Sequence, residues 1–133
     1  MNASNGQIVI RPEVQEIPVV RHFARDWLTD EGVDHRTRDE LLLVVTELTA
    51  NAVNASPPNL AVEVSLRHEE DDVTIDVANC GLLPEGAGET EDVEAIDSYS
   101  TDGLRIVRAL TDELRAHRYP PVTVVSCRRH LVA

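Results

Sequence analysis

The chain contains no lysine, and all twelve of its basic residues are arginines. A lysine that grips phosphate or forms a Schiff base is therefore excluded. The basic residues stand against 24 acidic ones, which gives a formal net charge of −12 over 133 residues. Because nucleic-acid binding depends on neutralising phosphates with basic side chains, this deficit argues against direct contact with DNA or RNA.

Cysteine is scarce, with Cys80 and Cys127 as the two examples. Two cysteines do not make a disulfide framework, and no group of Cys and His has the spacing of zinc ligands. We therefore expect two reduced thiols in or near strands. The chain also lacks an apolar run long enough to cross a bilayer, and it lacks a signal-peptide pattern. The expectation is a cytoplasmic protein with no membrane contact.

The length and the 42% of hydrophobic residues suit one domain with its own core. Periodicity and turn residues predict three helices and four strands. The helices are predicted at 18–30, 34–55 and 103–114, and the strands at 7–10, 60–67, 73–78 and 121–127. This order predicts a single domain, 1–133, of the α/β (α+β) two-layer class. Three helices would cover one face of a mixed, largely antiparallel sheet.

The second helix carries a polar stripe on an otherwise apolar segment. At about 100° per residue, Glu40, Glu47, Asn51 and Asn54 fall within about 60° of one another. A carboxylate and an amide oxygen one turn apart have the chemistry to order a hydroxyl group or a hydrated Mg²⁺ ion. The water-facing side of an amphipathic helix shows the same pattern, and spacing alone favours that second interpretation.

A segment without helical or strand periodicity spans residues 82–102. Structureless loops of about twenty residues inside a compact domain are usually functional. Asn79, Cys80 and Gly81 precede this segment, and Gly103 begins the helix after it. A glycine at a helix start lets the backbone approach a ligand, and the exposed N–H groups there favour anions. Each of these two features is weak alone.

Their order along the chain is more specific. A helix with Glu47 and Asn51 is followed by a hairpin, a strand-end turn at Gly81, a long loop, and a helix that begins at Gly103. This order resembles the GHKL ATPase/kinase superfamily of histidine-kinase-like ATPase domains. Within it, the chain is most similar to the bacterial anti-sigma factor/serine-protein kinase group, which works by partner switching. The resemblance covers essentially the whole chain, including residues 21–28, and reverses the interpretation of the polar stripe.

The resemblance implies ATP or ADP and Mg²⁺ as cofactors, with a role for each matching residue. Asn51 would coordinate Mg²⁺ through its amide oxygen. Glu47 would be the general base that takes a proton from a serine of a partner protein, a role that requires hydrogen-bond reach. Asn79 stands where the family has an aspartate that accepts a hydrogen bond from the adenine amino group.

Two glycine-rich boxes complete the implied nucleotide site. Gly81 matches the first glycine of the first box. Gly103 matches the last glycine of the second box, whose backbone N–H groups receive phosphate, and Leu104 follows it in the same cofactor-binding segment. Leu83 and Thr101 stand where two further glycines belong, so each adds a Cβ where the backbone would approach a ligand.

The implied lid at 82–102 carries seven acidic residues and no Arg, Lys or His. These charges oppose a triphosphate if the lid closes over it, whereas a solvated loop would leave them in water. Two hypotheses remain. One is an active ATP-dependent kinase that phosphorylates an anti-sigma-factor antagonist and sequesters a sigma factor. The other is an anti-sigma-factor-like regulator that has the same fold and weakened or lost nucleotide binding.

The departures from the family pattern favour the second hypothesis. The expected partners are a sigma factor, an anti-sigma-factor antagonist, or both. A second copy of the chain is also expected, because the resembled group commonly forms homodimers. The first strand and the first helix are the predicted contact between the two copies.

Overall fold

The computed structural model describes residues 3–79, 90–91, 102–119 and 122–132. The described chain contains three α-helices and six strands. In order they are β1 (Ala3–Ile10), α1 (Ile17–Asp30), α2 (His35–Ala55), β2 (Val62–Glu69), β3 (Asp72–Asn79), β4 (Thr90–Glu91), α3 (Asp102–Leu110), β5 (Glu113–Tyr119) and β6 (Val122–His130). A short 3₁₀ turn, Val14–Glu16, precedes α1.

The strands form one sheet in the order β1-β2-β3-β6-β5-β4, and each described pair of neighbours is antiparallel. The register aligns inward-facing apolar residues across the sheet. Ile8 pairs with Val64, Val64 with Val77, Val77 with Val125, and Val125 with Ala116. Because side chains alternate between the two faces of a strand, these residues share the face that packs on the helices. The opposite face carries mainly polar residues, together with the exposed Val9.

Local signals place the two long helices. Asp34 precedes α2, and its carboxylate accepts a hydrogen bond from the Thr37 N–H at 3.2 Å, as an N-cap residue does. Gly32 has a φ of +77° just after α1, a conformation that an L side chain rarely adopts. Apolar residues of α1, α2, α3 and the sheet form one buried cluster. The predicted two-layer α+β class is confirmed.

Two of the six strands were not predicted: β4, which lies within the predicted loop, and β5, because the third helix was predicted to run to Leu114. In the structure α3 ends at Leu110, and Leu114 is buried in β5 opposite Cys127. The Thr111 hydroxyl donates to the Val107 carbonyl at 2.7 Å, which satisfies one of the last carbonyls of the helix. Leu114 and Ala116 are the buried residues among the described side chains of this short, charged strand, so the alternating pattern is too short to be distinctive.

The other boundaries differ by a few residues, since β1 and β2 begin or end outside the predicted spans and β6 continues to His130. The predicted lid at 82–102 lies outside the described residues, apart from β4 and the first residue of α3. Cys80 lies outside them as well. Cys127 is buried in β6, and burial, together with the nearby Asp76 carboxylate, raises the pKa of its thiol to about 12. Within the described ranges, no helix is both long and apolar enough to cross a membrane.

The edge strand β1 is fastened to α1 and β2 by side-chain contacts. Gly6 faces Trp27 so closely that a Cβ at position 6 would lie 2.6 Å from the indole Cδ1. Further along, the Ser4 hydroxyl donates to Glu31 Oε2 at 2.7 Å, and His68 Nδ1 lies 2.8 Å from Glu31 Oε1. The hydrogen bond from Ser4, reinforced by His68, lowers the pKa of Glu31 below its ordinary value of 4.5 against the opposing effect of burial.

We predict that Glu31→Gln lowers the free energy of unfolding by about 1 kcal/mol near neutral pH, because the charged acceptor at the centre of this network is lost. Since the folded pKa of Glu31 is lowered, its contribution is fully present above pH 4.5 and is lost as the pH falls through the folded pKa. Urea unfolding of the unmodified protein and of Glu31→Gln, at pH values above and below 4.5, measures the difference. Glu63→Gln, at an exposed position, is the control. An equal loss of unfolding free energy in this control would contradict the prediction.

Candidate functional site

Four elements meet at a small cavity beneath the sheet-facing side of α2. The cavity has a volume of about 10 Å³, which is close to the space that one water molecule requires. Helix α2, the end of β3, the start of α3 and the middle of β6 contribute its walls. The lining residues are Leu48, Asn51, Ala52, Val77, Asn79, Leu104 and Val125.

Three of the residues that the resemblance assigned to cofactor binding therefore line one cavity. Asn51, Asn79 and Leu104 come from three different elements and from three distant parts of the chain. Gly103 lies directly before Leu104 in the first turn of α3. Gly81 lies outside the described residues. The roles of these residues in binding a nucleotide stay predictions.

Glu47, the predicted base, is placed differently. It is half-buried on α2, one turn before Asn51, and it is not part of the cavity wall. Within the described part of the chain, its carboxylate has neither an ion pair nor a hydrogen bond. The next residue along the chain, Leu48, is buried and lines the cavity. Glu47 is thus available to a group outside the described fold, and its catalytic role stays a prediction.

Asn79 is almost fully buried, with 4% of its surface exposed. Its amide nitrogen donates to the backbone carbonyl of Ala52 at 3.4 Å. That carbonyl also accepts the Ser56 N–H at 3.0 Å, so both of its lone pairs are used. A buried amide needs such a partner, because an unpaired buried polar group is costly. Asn79 is therefore tied to the last turn of α2.

Glu40, at the start of the polar stripe, has a structural role that the sequence analysis missed. Its carboxylate lies 2.9 Å from an Arg129 nitrogen and 3.7 Å from Arg36 Nε. Arg129 also donates to the carbonyl of Leu110 at 2.8 Å. A guanidinium at a helix C-terminus satisfies an orphan carbonyl and complements the helix dipole. The pair thus joins α2, β6 and the end of α3, and the sequence signal was that Arg129 shares the inward-facing parity of Cys127.

A second depression runs between the outer sides of α1 and α2, with a volume of about 480 Å³. Arg21 and Arg25 lie one turn apart on α1, and neither makes an ion pair within the described ranges. Leu43, on α2, leaves 42% of its surface exposed. We call this surface the arginine groove; its lining residues are Arg21, Arg25, His35, Asp39, Leu42, Leu43 and Thr46.

A magnesium-bound nucleotide does not fit the cavity that the described residues form. Small-molecule sites usually enclose about 300–1,000 Å³, whereas this cavity encloses about 10 Å³. Its lining contains no charged side chain, and the amide of Asn79 is engaged by α2. Among the residues described, no group of three or more His, Cys, Asp or Glu side chains is arranged to hold a metal ion.

Comparison with known proteins identifies the family. Residues 10–129 match the family model of the histidine kinase-like ATPase domain. No curated protein matches the chain at a significant level. Among solved structures, the RsbU and RsbW domains of Rv1364c from Mycobacterium tuberculosis are similar to 96% of the chain, with a TM-score of 0.70 and 20% identity. The chain spans 32% of that longer polypeptide.

A second similar structure is the SiaB–SiaC complex from Pseudomonas aeruginosa. It covers 97% of this chain and 89% of its own, with a TM-score of 0.62 and 17% identity. At these identities the two structures report on the fold, which agrees with the two-layer architecture described above. The family model, by contrast, matches almost the whole sequence. The chain belongs to the histidine kinase-like ATPase domain family.

Proposed function

We propose that this protein is an anti-sigma-factor-like regulator of a bacterial partner-switching system, in which nucleotide binding is weakened or lost. The observation that carries the proposal is the cavity of about 10 Å³ at Asn51 and Asn79. Where the family would bind the base of ATP, this chain has an internal hydrogen bond between β3 and α2. Regulation would then depend on contact between proteins.

The similar solved structures support a role in protein assemblies. One contains an RsbU domain together with an RsbW domain, and the other is a complex of SiaB with SiaC. By analogy, the partner of this chain would be an anti-sigma-factor antagonist, a sigma factor, or both. The arginine groove is the surface that we propose for such a partner, because it combines two arginines without ion pairs and an exposed leucine. Charge and apolar area together suit a carboxylate-bearing amphipathic segment.

The second candidate function is an active ATP-dependent serine-protein kinase. Glu47 is the observation that favours it. Its carboxylate is half-buried, lies one turn before Asn51, and is not engaged by any other described residue. A general base must have its carboxylate available to the attacking hydroxyl. The two candidates differ in what they require of the cavity, since a kinase must open it for ATP and Mg²⁺.

Calorimetric titration with Mg²⁺-ATP separates the two candidates. We expect no binding tighter than a Kd of about 1 mM, which corresponds to roughly 4 kcal/mol, and we expect Asn51→Ala to change nothing. Micromolar binding that Asn51→Ala removes would contradict the proposal. Phosphorylation of an antagonist serine that Glu47→Gln abolishes would establish the kinase instead.

A charge-reversal test addresses the arginine groove. We expect Arg21→Glu combined with Arg25→Glu to weaken binding to the cognate partner by tenfold or more, because interface arginines often dominate affinity. Purified sigma factors and antagonist proteins of the source organism, titrated by calorimetry, supply the partner. The control combines Arg67→Glu with Arg115→Glu, which makes the same change in net charge on the open face of the sheet. Equal affinities of the two double variants would contradict the proposed surface.

Self-association is expected along the free edge of β1. This strand contains no charged residue, although 27% of the chain is charged, and Val9 leaves 57% of its surface exposed. Two chains of net charge −12 can meet there without facing like charges, and natural edges that avoid pairing usually carry charge, proline or a bulge. Light scattering should give twice the mass of one chain.

Gln7→Glu should shift this equilibrium to the monomer, because like charges would face each other across the paired edges. Thr74→Glu, which places the same charge on β3 between Arg67 and Arg128, is the control. Mixing Gln7→Glu with Gln7→Arg chains should restore the dimer. A monomer at every concentration of the unmodified protein would exclude the dimer.

A further inference from the structure

The contact between Asn79 and α2 has a consequence for the chemistry that position 79 can hold. Ala52 lies in the last turn of α2, and its carbonyl oxygen already accepts the N–H of Ser56, the residue that caps the helix. This end of the helix carries partial negative charge. The Asn79 amide presents its N–H to that end, 3.4 Å from the carbonyl oxygen. The opposite orientation of the amide would place two acceptors against each other.

We propose that Asn79 is a strut that joins the end of β3 to the C-terminal turn of α2, and that this strut excludes an acidic residue and closes the space in which the family reads its base. This role of Asn79 rests on the proposed function, in which nucleotide binding is weakened or lost, and it names the residue that prevents binding of the base. The side chain that would accept a hydrogen bond from a ligand in the resembled proteins here donates its amide N–H to a carbonyl of the fold. Asn79 is thus a positioning residue for the closed cavity.

A carboxylate at position 79 would meet an unfavourable group on the side of α2. The Ala52 carbonyl has no proton to donate, and the helix terminus repels an anion. Among the described residues that line the cavity, none carries a cationic or titratable side chain. Glu47, on α2, and Asp76, on β3, are the charged residues of these two elements that lie closest along the chain to Ala52 and Asn79, and neither lines the cavity. Burial among apolar and neutral groups disfavours the ionised form of an acid.

Asn79→Asp distinguishes two roles of position 79. If Asn79 were a weakened base reader, restoring the family's aspartate would improve nucleotide binding. If Asn79 is a strut, Asn79→Asp costs stability and brings no gain in binding. The two cases differ in the sign of the change in thermal stability, in its pH dependence and in the affinity for Mg²⁺-ATP.

The experiment compares the melting temperature of the unmodified protein with those of Asn79→Asp, Asn79→Ala and Asn59→Asp. Near neutral pH, Asn79→Asp should melt at least about 5 °C below the unmodified protein. An acid with a folded pKa above its unfolded value of about 3.9 stabilises the fold less as the pH rises. The gap should therefore narrow on acidification, when the protonated carboxyl can donate to Ala52.

The matched variants separate charge from the loss of the strut. Asn59 is exposed in the turn between α2 and β2, so Asn59→Asp makes the same chemical change and should leave the melting temperature almost unaltered at each pH. Asn79→Ala should also melt below the unmodified protein, with a difference that does not depend on pH. If Asn79→Asp is unfolded near neutral pH, its refolding on acidification would support the strut in the same way.

Two results would overturn the strut. One is an unchanged melting temperature for both Asn79→Asp and Asn79→Ala. The other is tighter Mg²⁺-ATP binding by Asn79→Asp than by the unmodified protein. The proposed function fails by a separate measurement, because tight Mg²⁺-ATP binding by the unmodified protein contradicts weakened nucleotide binding whatever the variants do.

Discussion

The burial of α2 is the constraint on which the rest of the structure depends. Eight of its 21 residues are buried, and they pack against β2, β3 and the other two helices. A helix fixed in rotation by that many core side chains has no freedom to turn its remaining positions. Leu48 and Ala52 therefore hold Asn51 against the cavity, while Glu47 is left at the margin. The same packing that stabilises the domain sets the geometry of its candidate site.

A second set of contacts holds α3 against α2. Its apolar residues Leu104 and Val107 are buried, and its C-terminus is bound by Arg129, which also pairs with Glu40. Nine residues make a short helix, and such a helix depends on tertiary contacts because its own hydrogen bonds are few. Partly buried ion pairs that also make hydrogen bonds specify geometry more than they add stability. The α3 helix therefore enters the cavity wall at a fixed position.

Sequence patterns predicted the features that depend on residues close together in the chain. The Asp34 cap, the turn at Gly32, the β2–β3 hairpin and α2 follow from residues close in sequence, and the sheet class followed from their order. Glu40 with Arg129 and Ala52 with Asn79 join residues that are 89 and 27 positions apart, and no periodicity reports such a pair. Strand β5 was missed because its described part has a short inward-facing pattern, Leu114 and Ala116. The resemblance assigned Asn51, Asn79 and Leu104 to one site, but it gave no measure of the cavity that they line.

The proposed weakening of nucleotide binding is compatible with an intact fold. Most residues that line the cavity belong to α2, β3 and β6, which the core packing holds in place, so weakened nucleotide binding would remove little of the core. A buried aspartate without a ligand would set a carboxylate against the Ala52 carbonyl, whereas an amide donates a hydrogen bond to that oxygen. Under the proposed function, asparagine at position 79 therefore suits a site that does not bind a base.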